Sequence, residues 1–124
     1  MFVMCLSQGY GDEASTSVIA TYDSVKDAQW EVNHRNRKID HINGRLAAVE
    51  IIMGEWLKSH PEPSHGCAAR SKAWDDWRTL EGEEKVRLEQ LFDIDALCEQ
   101  AKLSRYYIDS ANFYFQEVPH NPGV

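Results

Sequence analysis

The stretch VKDAQWEVNHRNRKIDHINGRLAAVEIIMGEWLK, residues 25–58, decides the fold of this chain. Its apolar residues are spaced alternately three and four apart, which is the heptad pattern of a helix that packs along one seam. The seam positions are Val25, Ala28, Val32, Ile39, Ile42, Leu46, Val49, Met53 and Trp56, and Arg35 occupies the remaining one. Ser24 can cap the helix, and no proline occurs before Pro61. The sequence therefore predicts one long helix, which is either continuous or bends back near Asn43-Gly44.

This predicted helix is long for so small a protein. At ~1.5 Å per residue it would reach about 50 Å, whereas a domain of this size is about 30 Å across. An apolar seam that projects into water favours association with another chain. We therefore predict a homo-oligomer, a dimer or larger. The alternative is that the seam packs against a helix of the same chain.

Two short β-rich segments precede the helix, and one follows near the end of the chain. FVMCL (residues 2–6) and TSVIATY (residues 16–22) flank a loop of turn-forming residues and predict two antiparallel strands. In the closing segment RYYIDSANFYFQEVP, aromatic and β-branched residues flank a turn at residues 109–112, which predicts one strand or a hairpin. We expect this closing strand beside the first two in a small antiparallel sheet.

The segment that follows the long helix is also predicted to be helical. Pro61 and Pro63 end the long helix. Beyond them, CAARSKAWDDWRTL (residues 67–80) and EEKVRLEQLFDIDALCEQAKL (residues 83–103) have helical apolar spacing, with a break expected near Asp93. The predicted fold class is α+β, with two N-terminal strands and a C-terminal strand in one sheet, one long helix and shorter helices. At 124 residues the chain is expected to form a single domain, residues 1–124.

The long helix also carries a group of basic residues, which we call the basic stripe. At about 100° per residue, its members fall within about a third of the helix circumference. They are His34, Arg37, Lys38, His41 and Arg45. Arg35 lies on the seam itself, where a cation must be paired, exposed at a chain end or held by an anion. The stripe is either a solvated face beside acidic neighbours or a pocket for an anion such as phosphate, which arginine binds well.

Composition and charge argue against several classes of function. A net charge of −7 and a pI near 5.1 argue against binding to nucleic acid. No apolar run approaches the ~18 residues of a membrane helix, and the N-terminus lacks the basic start of a signal peptide, so we expect a cytoplasmic protein. Cys5, Cys67 and Cys98 have no metal-site spacing and are expected to be reduced. His34 and His41 lie about 10 Å apart along the helix, too far to share a metal ion within one chain.

Catalytic motifs are also missing from the sequence. It contains no GxSxG, P-loop or HExxH motif. Asp75-Asp76 and Glu83-Glu84 read as solvated faces, and Cys67 near His65 is a weak pattern for a nucleophile with its base. We therefore expect a protein that binds its target without enzymatic chemistry and without a cofactor.

The two ends of the chain resemble known proteins. The opening FVMCLSQGYGDEASTSVIATYDSVKDAQWEV (residues 2–32) reads as a strand, a glycine-containing loop, a second strand and a Ser-capped helix. The late FYFQEVP (residues 113–119) is similar to a closing strand. Together these features resemble small domains of phages and prophages. Among such domains is the phage Thoeris anti-defence family, oligomeric proteins that bind cyclic ADP-ribose immune signals without cleaving them.

The resemblance implies a phage-encoded inhibitor of bacterial immunity that sequesters a nucleotide second messenger of the cyclic ADP-ribose type in the host cytoplasm. Such a ligand requires cations for its pyrophosphate and an aromatic surface for its purine. The candidate residues are His34, Arg35, Arg37, His41 and Arg45 for phosphate, Tyr10, Trp74 or Trp77 for stacking, and Asn112 for a polar edge. For the two tryptophans the alternative is that they pack against the long helix. Two alternatives stay open: an inhibitor that binds a host defence protein directly, and an enzyme that acts on a nucleotide.

Overall fold

The computed structural model describes residues 1–64 and 71–119. The elements in these ranges are β1 (Phe2–Gln8), a 3₁₀ segment (Gly11–Glu13), β2 (Ser15–Tyr22), α1 (Val25–Ser59), α2 (Lys72–Leu91), α3 (Ile94–Ala101), a second 3₁₀ segment (Arg105–Ser110) and β3 (Asn112–Glu117). The predicted α+β class is confirmed, with an antiparallel sheet, one long helix and shorter helices. None of the helices in these ranges has the length and apolar character needed to span a membrane.

The chain divides into two compact units. The first unit consists of Met1–Asn43 together with Ala96–Val124, and the second unit is Gly44–Asp95. The sheet belongs to the first unit and α2 to the second, while α1 contributes to both. α1 is a single helix through Asn43-Gly44, so the continuous helix, one of the two alternatives that the sequence leaves open, is the one observed.

The sheet of the first unit has the strand order β2-β1-β3, with both strand pairs antiparallel. Leu6 in the central strand pairs with Ser17 on one side and with Phe113 on the other. A β-bulge beside Met4 and Cys5 shifts the register and gives β2 one extra residue. β1 is the most buried strand, whereas β2 is an edge strand that is exposed along most of its length.

α1 begins at the predicted cap and packs its apolar positions inward. The Ser24 hydroxyl accepts hydrogen bonds from the backbone N–H groups of Lys26, at 3.1 Å, and Asp27, at 3.5 Å. The buried positions of α1 in the first unit are Ala28, Val32, Ile39 and Ile42. Their spacing of three or four residues is the predicted heptad pattern, so the sequence pattern and the packing agree in this unit.

Asn36 fastens β3 to α1. Its side-chain amide donates a hydrogen bond to the Phe113 carbonyl oxygen at 2.9 Å. Its side-chain oxygen accepts one from the Phe113 N–H at 2.8 Å. Because one side chain satisfies both backbone groups of a single residue, it fixes the position of β3 along the helix.

The apolar seam of α1 is covered by the chain itself. Among the seam residues beyond the first turn, Val32, Ile39, Ile42 and Val49 are buried, and Arg35, Leu46, Met53 and Trp56 are half-buried. Val25, in the first turn, is 52% exposed. The seam is therefore covered within the chain, which was the alternative to association with another chain, and by itself it gives no reason for a partner. Formation of a homo-oligomer stays a prediction.

Within residues 105–119, the described part of the closing segment, the structure contains the single strand β3 and no hairpin. Residues 105–110, whose aromatic and β-branched character also fits a strand, form 3₁₀ turns with a kink at Tyr107. The side chain of Ile108 is almost completely buried in this segment, and its carbonyl oxygen accepts a hydrogen bond from the Asn43 side chain at 3.3 Å. Burial of Ile108 in this turn has thus outweighed the strand preference of its neighbours.

The second unit combines the C-terminal part of α1 with α2. The Ser71 hydroxyl caps α2 by accepting a hydrogen bond from the Trp74 N–H at 3.4 Å, and Leu88 is the buried residue of this helix. The predicted helical residues 67–70 lie outside the described residues. The predicted break near Asp93 is confirmed, since α2 ends before it and Asp93 has a φ of 57°.

Candidate ligand-binding groove

Two adjoining cavities form a groove in the first unit, lined mainly by α1 and the end of α3. Their volumes are about 520 Å³ and about 300 Å³. Both are lined by His34, Lys38, Gln100 and Ala101, so they are neighbours along one depression, which we call the α1–α3 groove. Small-molecule pockets commonly measure roughly 300–1,000 Å³, so the groove has the size of a ligand site.

The groove is basic. Among the described residues, its lining contains four cations, Arg35, Arg37, Lys38 and Lys102, and one carboxylate, Glu31. With the histidines neutral, four positive charges less one negative charge leave a local net charge of +3, in a chain whose net charge is −7. Within the described residues, no ion pair involves Arg37, Lys38 or Lys102. Cations that lack partners and repel one another are a favourable setting for a bound anion.

Arg35 shows how the seam of α1 accommodates a charge. Its Nε lies 2.8 Å from Glu31 Oε1, one helical turn earlier. Its guanidinium lies over the Phe113 ring, 5.5 Å from the ring centre. Arg35 is therefore paired within the chain. It also forms part of the wall of the larger cavity.

Trp30 supplies an aromatic surface and is not among the predicted stacking residues. Its ring stacks on that of His34, with ring centres 4.9 Å apart and planes inclined by 12°. The two residues are four apart on α1 and therefore share one helix face. The Trp30 side of the groove also includes Ile19 from β2. The i, i+4 spacing of Trp30 and His34 is the signal from which this pair could have been found.

The smaller cavity combines a charged rim with an apolar floor. Arg37 and His41 are exposed on α1, whereas Ile42 is buried. Leu97 contributes from α3. The apolar floor can hold the uncharged part of a ligand, while the basic side chains of the rim contact its anionic groups.

Four of the five predicted phosphate-binding residues line the groove: His34, Arg35, Arg37 and His41. Arg45 lies elsewhere, in the second unit, where its Nε donates a hydrogen bond to the Phe92 carbonyl oxygen at 2.7 Å. It also lies 3.9 Å from Asp93 Oδ2. Arg45 thus binds the C-terminal end of α2, where a cation complements the helix dipole.

Trp74 and Trp77, the predicted stacking residues, pack in the second unit and do not line the groove. Their rings contact each other at 5.9 Å, and Trp77 also contacts Trp56 at 6.3 Å. The Trp77 indole N–H donates to the His60 carbonyl oxygen at 2.9 Å. This aromatic cluster holds α2 against the end of α1, which is a structural role.

Tyr10 and Asn112 also lie away from the groove lining. The Tyr10 ring contacts Tyr107 edge to face at 6.5 Å. A hydrogen bond from its hydroxyl to the Asp109 carboxylate raises the pKa of Tyr10 above its usual value. Asn112 opens β3, where it pairs with Ser7 of β1. Tyr10 is thus engaged with residues near the start of β3 rather than with the groove.

The possible metal ligands of the described ranges are their His, Cys, Asp and Glu side chains, and the cysteines are also possible nucleophiles. Residues 1–64 and 71–119 contain no group of three or more His, Cys, Asp or Glu side chains arranged to hold a metal ion. Cys5 and Cys98 are buried and form no disulfide, while Cys67 lies outside the described residues. Neither Cys5 nor Cys98 lines the groove.

Comparisons of the chain with models of protein families, with curated proteins and with solved structures found no match.

Proposed function

We propose that this protein binds a phosphorylated small molecule that carries an aromatic ring, a ligand of the nucleotide class, in the α1–α3 groove, and sequesters it without cleaving it. The observation that carries the proposal is the convergence of Arg37, Lys38 and Lys102, which form no ion pairs in the described residues, on one groove of an acidic protein.

The cations provide the affinity for phosphate. A hydrogen bond to a charged group contributes roughly 1.5–3 kcal/mol, about twice as much as one between neutral groups. The groove presents such donors from two directions, Arg37 and Lys38 on α1 and Lys102 after α3. A bound phosphate also offsets the repulsion among these cations. An anion is therefore the ligand that this lining favours.

Trp30 favours a ligand with a ring. Its side chain is 62% exposed, and one face already stacks on His34. The other face is available to a planar group, and stacking of a base on an aromatic side chain contributes roughly 1–3 kcal/mol. Cations and an exposed aromatic ring in one groove together favour a nucleotide over inorganic phosphate.

The chemistry of the lining supports binding rather than turnover. In the part of the chain that the structure describes, no serine, threonine or cysteine lines the two cavities. The carboxylate among the described lining residues, Glu31, is engaged in an ion pair with Arg35 at 2.8 Å. A lining of this kind can hold a phosphorylated ligand, and its described residues offer no hydroxyl or thiol nucleophile to attack it.

The resemblance of the chain ends to phage anti-defence proteins gives the proposal its specific form. In that form the chain is a phage-encoded inhibitor that withdraws a signal of the cyclic ADP-ribose type from a bacterial immune pathway in the host cytoplasm. A pyrophosphate linked to a purine contains both of the chemical groups that the groove is suited to bind.

A depletion experiment tests this proposal. The protein is incubated with a panel of linear and cyclic nucleotides, separated from the unbound fraction, and heated to release what it holds. Chromatography then identifies the released compounds. We expect selective depletion of one or a few nucleotides and their intact recovery after heating.

The other outcomes of this experiment reject the proposal. Recovery of an altered compound would mean that the protein is an enzyme. Absence of depletion for every nucleotide would remove the nucleotide ligand and favour direct binding to a host protein.

A further inference from the structure

Lys102 occupies a backbone position that ordinarily belongs to glycine. It follows α3 directly and has a φ of 57°, in the left-handed region. The Leu103 N–H donates to the Cys98 carbonyl oxygen at 2.9 Å, and the Lys102 N–H donates to the Glu99 carbonyl oxygen at 3.1 Å. These two bonds define the helix-ending motif in which glycine is strongly preferred.

A lysine at this position loses stability relative to glycine. Its Cβ makes the left-handed conformation unfavourable, whereas glycine adopts that conformation freely. Part of this loss is recovered, because a cation near the C-terminal end of a helix interacts favourably with the helix dipole. The position alone therefore does not explain why a lysine stands there.

The location of Lys102 in the groove supplies a second reason. It lines the larger cavity together with Arg35 and Lys38, and no described residue forms an ion pair with it. The negative end of α3 points toward the same region and by itself disfavours an anion. A cation directly after the last turn offsets this effect at the place where a ligand phosphate would approach.

We propose that Lys102 is a ligand-binding residue that contacts a phosphate group in the α1–α3 groove, and that the chain keeps it at a glycine position at the expense of stability. This inference rests on the proposed function, since it requires that the groove holds a phosphorylated ligand. Lys102 is supplied by a helix end that lies far from the basic stripe in sequence. It adds a cation from the end of α3 to the groove cations that α1 supplies.

Two substitutions separate the charge of Lys102 from its backbone strain. Lys102→Gln removes the charge and keeps a side chain in the left-handed conformation, while Lys102→Gly removes both the charge and the strain. We expect both variants to bind ADP and inorganic pyrophosphate at least about tenfold more weakly than the wild type. We also expect the Tm of the glycine variant, without ligand, to exceed that of the glutamine variant by about 3 °C.

Asp93 provides a matched control. It follows α2, has the same φ of 57°, and does not line the groove. Asp93→Gly should raise the Tm above that of the wild type, because glycine removes the same backbone strain. It should leave the affinity for both probes unchanged.

The outcomes distinguish this inference from the proposed function. If the wild type binds the probes and Arg37→Glu with Lys38→Glu weakens binding, but both Lys102 variants bind normally, then Lys102 has only a structural role and the inference is overturned. If the wild type binds neither probe, the inference fails, because both probes carry the phosphate groups that Lys102 is proposed to contact. The proposed function fails as well only if the depletion experiment retains no nucleotide. Weaker binding by both Lys102 variants, with normal binding by Asp93→Gly, supports the inference.

Discussion

The Trp30 side chain remains 62% exposed even though one of its faces stacks on His34. Its removal should therefore change binding more than folding. We expect Trp30→Ala to weaken binding of ADP by about tenfold, because stacking on a base contributes roughly 1–3 kcal/mol. Binding of inorganic pyrophosphate, which has no ring, should stay the same, and isothermal titration calorimetry with the two ligands measures both effects.

Tyr106 gives a control for loss of an exposed aromatic residue. It is 89% exposed and does not line the groove, so Tyr106→Ala should bind both compounds normally. An equal loss of ADP and pyrophosphate binding in Trp30→Ala would show that Trp30 supports the groove and does not stack on the ligand.

Tyr10 gives a prediction about pH. Its hydrogen bond to Asp109 exists only while the phenol is protonated, and it raises the pKa of Tyr10 above 10.0. The stabilisation from this bond is therefore fully present below pH 10.0 and is lost as the pH rises through the higher folded-state pKa. The difference in ultraviolet titration between the wild type and Tyr10→Phe isolates this group among the five tyrosines of the chain.

Asp109→Asn provides the companion measurement for Tyr10. Without the carboxylate, the pKa of Tyr10 should fall toward 10.0. Titration of Tyr10 at or below 10.0 in the wild type would contradict the hydrogen bond to Asp109.

At the scale of elements, α1 contains a glycine that its helical conformation does not require. A Cβ added at Gly44 would meet no atom within 4 Å outside the local helix backbone, and Gly44 has no left-handed φ. Glycine inside a helix is less stable than alanine by roughly 0.5–1 kcal/mol. Gly44→Ala should therefore raise the free energy of unfolding by about that amount, as measured by urea denaturation.

Gly11 is the matched control for Gly44. It also has no atom within 4 Å of an added Cβ, but its φ is +54°. Gly11→Ala should consequently destabilise the protein, because alanine is strained in the left-handed region. A decrease in stability for Gly44→Ala would mean that α1 is not a regular helix at that position.

Most elements could be predicted because their signals are local. The heptad spacing of residues such as Val32, Ile39 and Ile42 defines α1, and the cap at Ser24 marks its start. Residues 105–110 were not predicted as 3₁₀ turns, because the burial of Ile108 depends on tertiary contacts. The spacing of apolar residues shows which of them share a helix face, but it does not show which element packs against that face.

The same limit applies to the groove. The basic stripe was visible as a helix face, and His34, Arg37 and His41 do line one cavity. Arg45 belongs to the same face by angle, yet it binds the end of α2, since the partner of a helix face can change along its length. Lys102 could not be placed beside the stripe from sequence, because its position depends on the packing of α3 against α1.

At the scale of the whole molecule, assembly remains to be measured. We predict a dimer or larger, although the seam of α1 no longer supplies the reason. β2 is exposed along most of its length and carries no charged residue, so we expect this edge strand to form the contact between copies. Light scattering at tens of micromolar should give a mass above 14.2 kDa for the wild type, and a lower mass for Val18→Lys.

Two results would contradict the predicted assembly. A wild-type mass of 14.2 kDa would remove the oligomer altogether. An unchanged larger mass in Val18→Lys, where a charge stands in the exposed edge strand, would place the contact on another surface.

The central claim is that the α1–α3 groove binds a phosphorylated ligand through its cations, and a charge-reversal titration tests it most directly. ADP is titrated into the wild type, into Arg37→Glu with Lys38→Glu, and into Lys26→Glu with Lys85→Glu. Both double variants change the net charge equally, but Lys26 and Lys85 are exposed residues that do not line the groove. We predict a loss of at least about 100-fold for the groove variant and near-normal affinity for the control. Equal affinity in both double variants, with the fold intact by circular dichroism, would contradict the claim and return the basic stripe to the solvated surface.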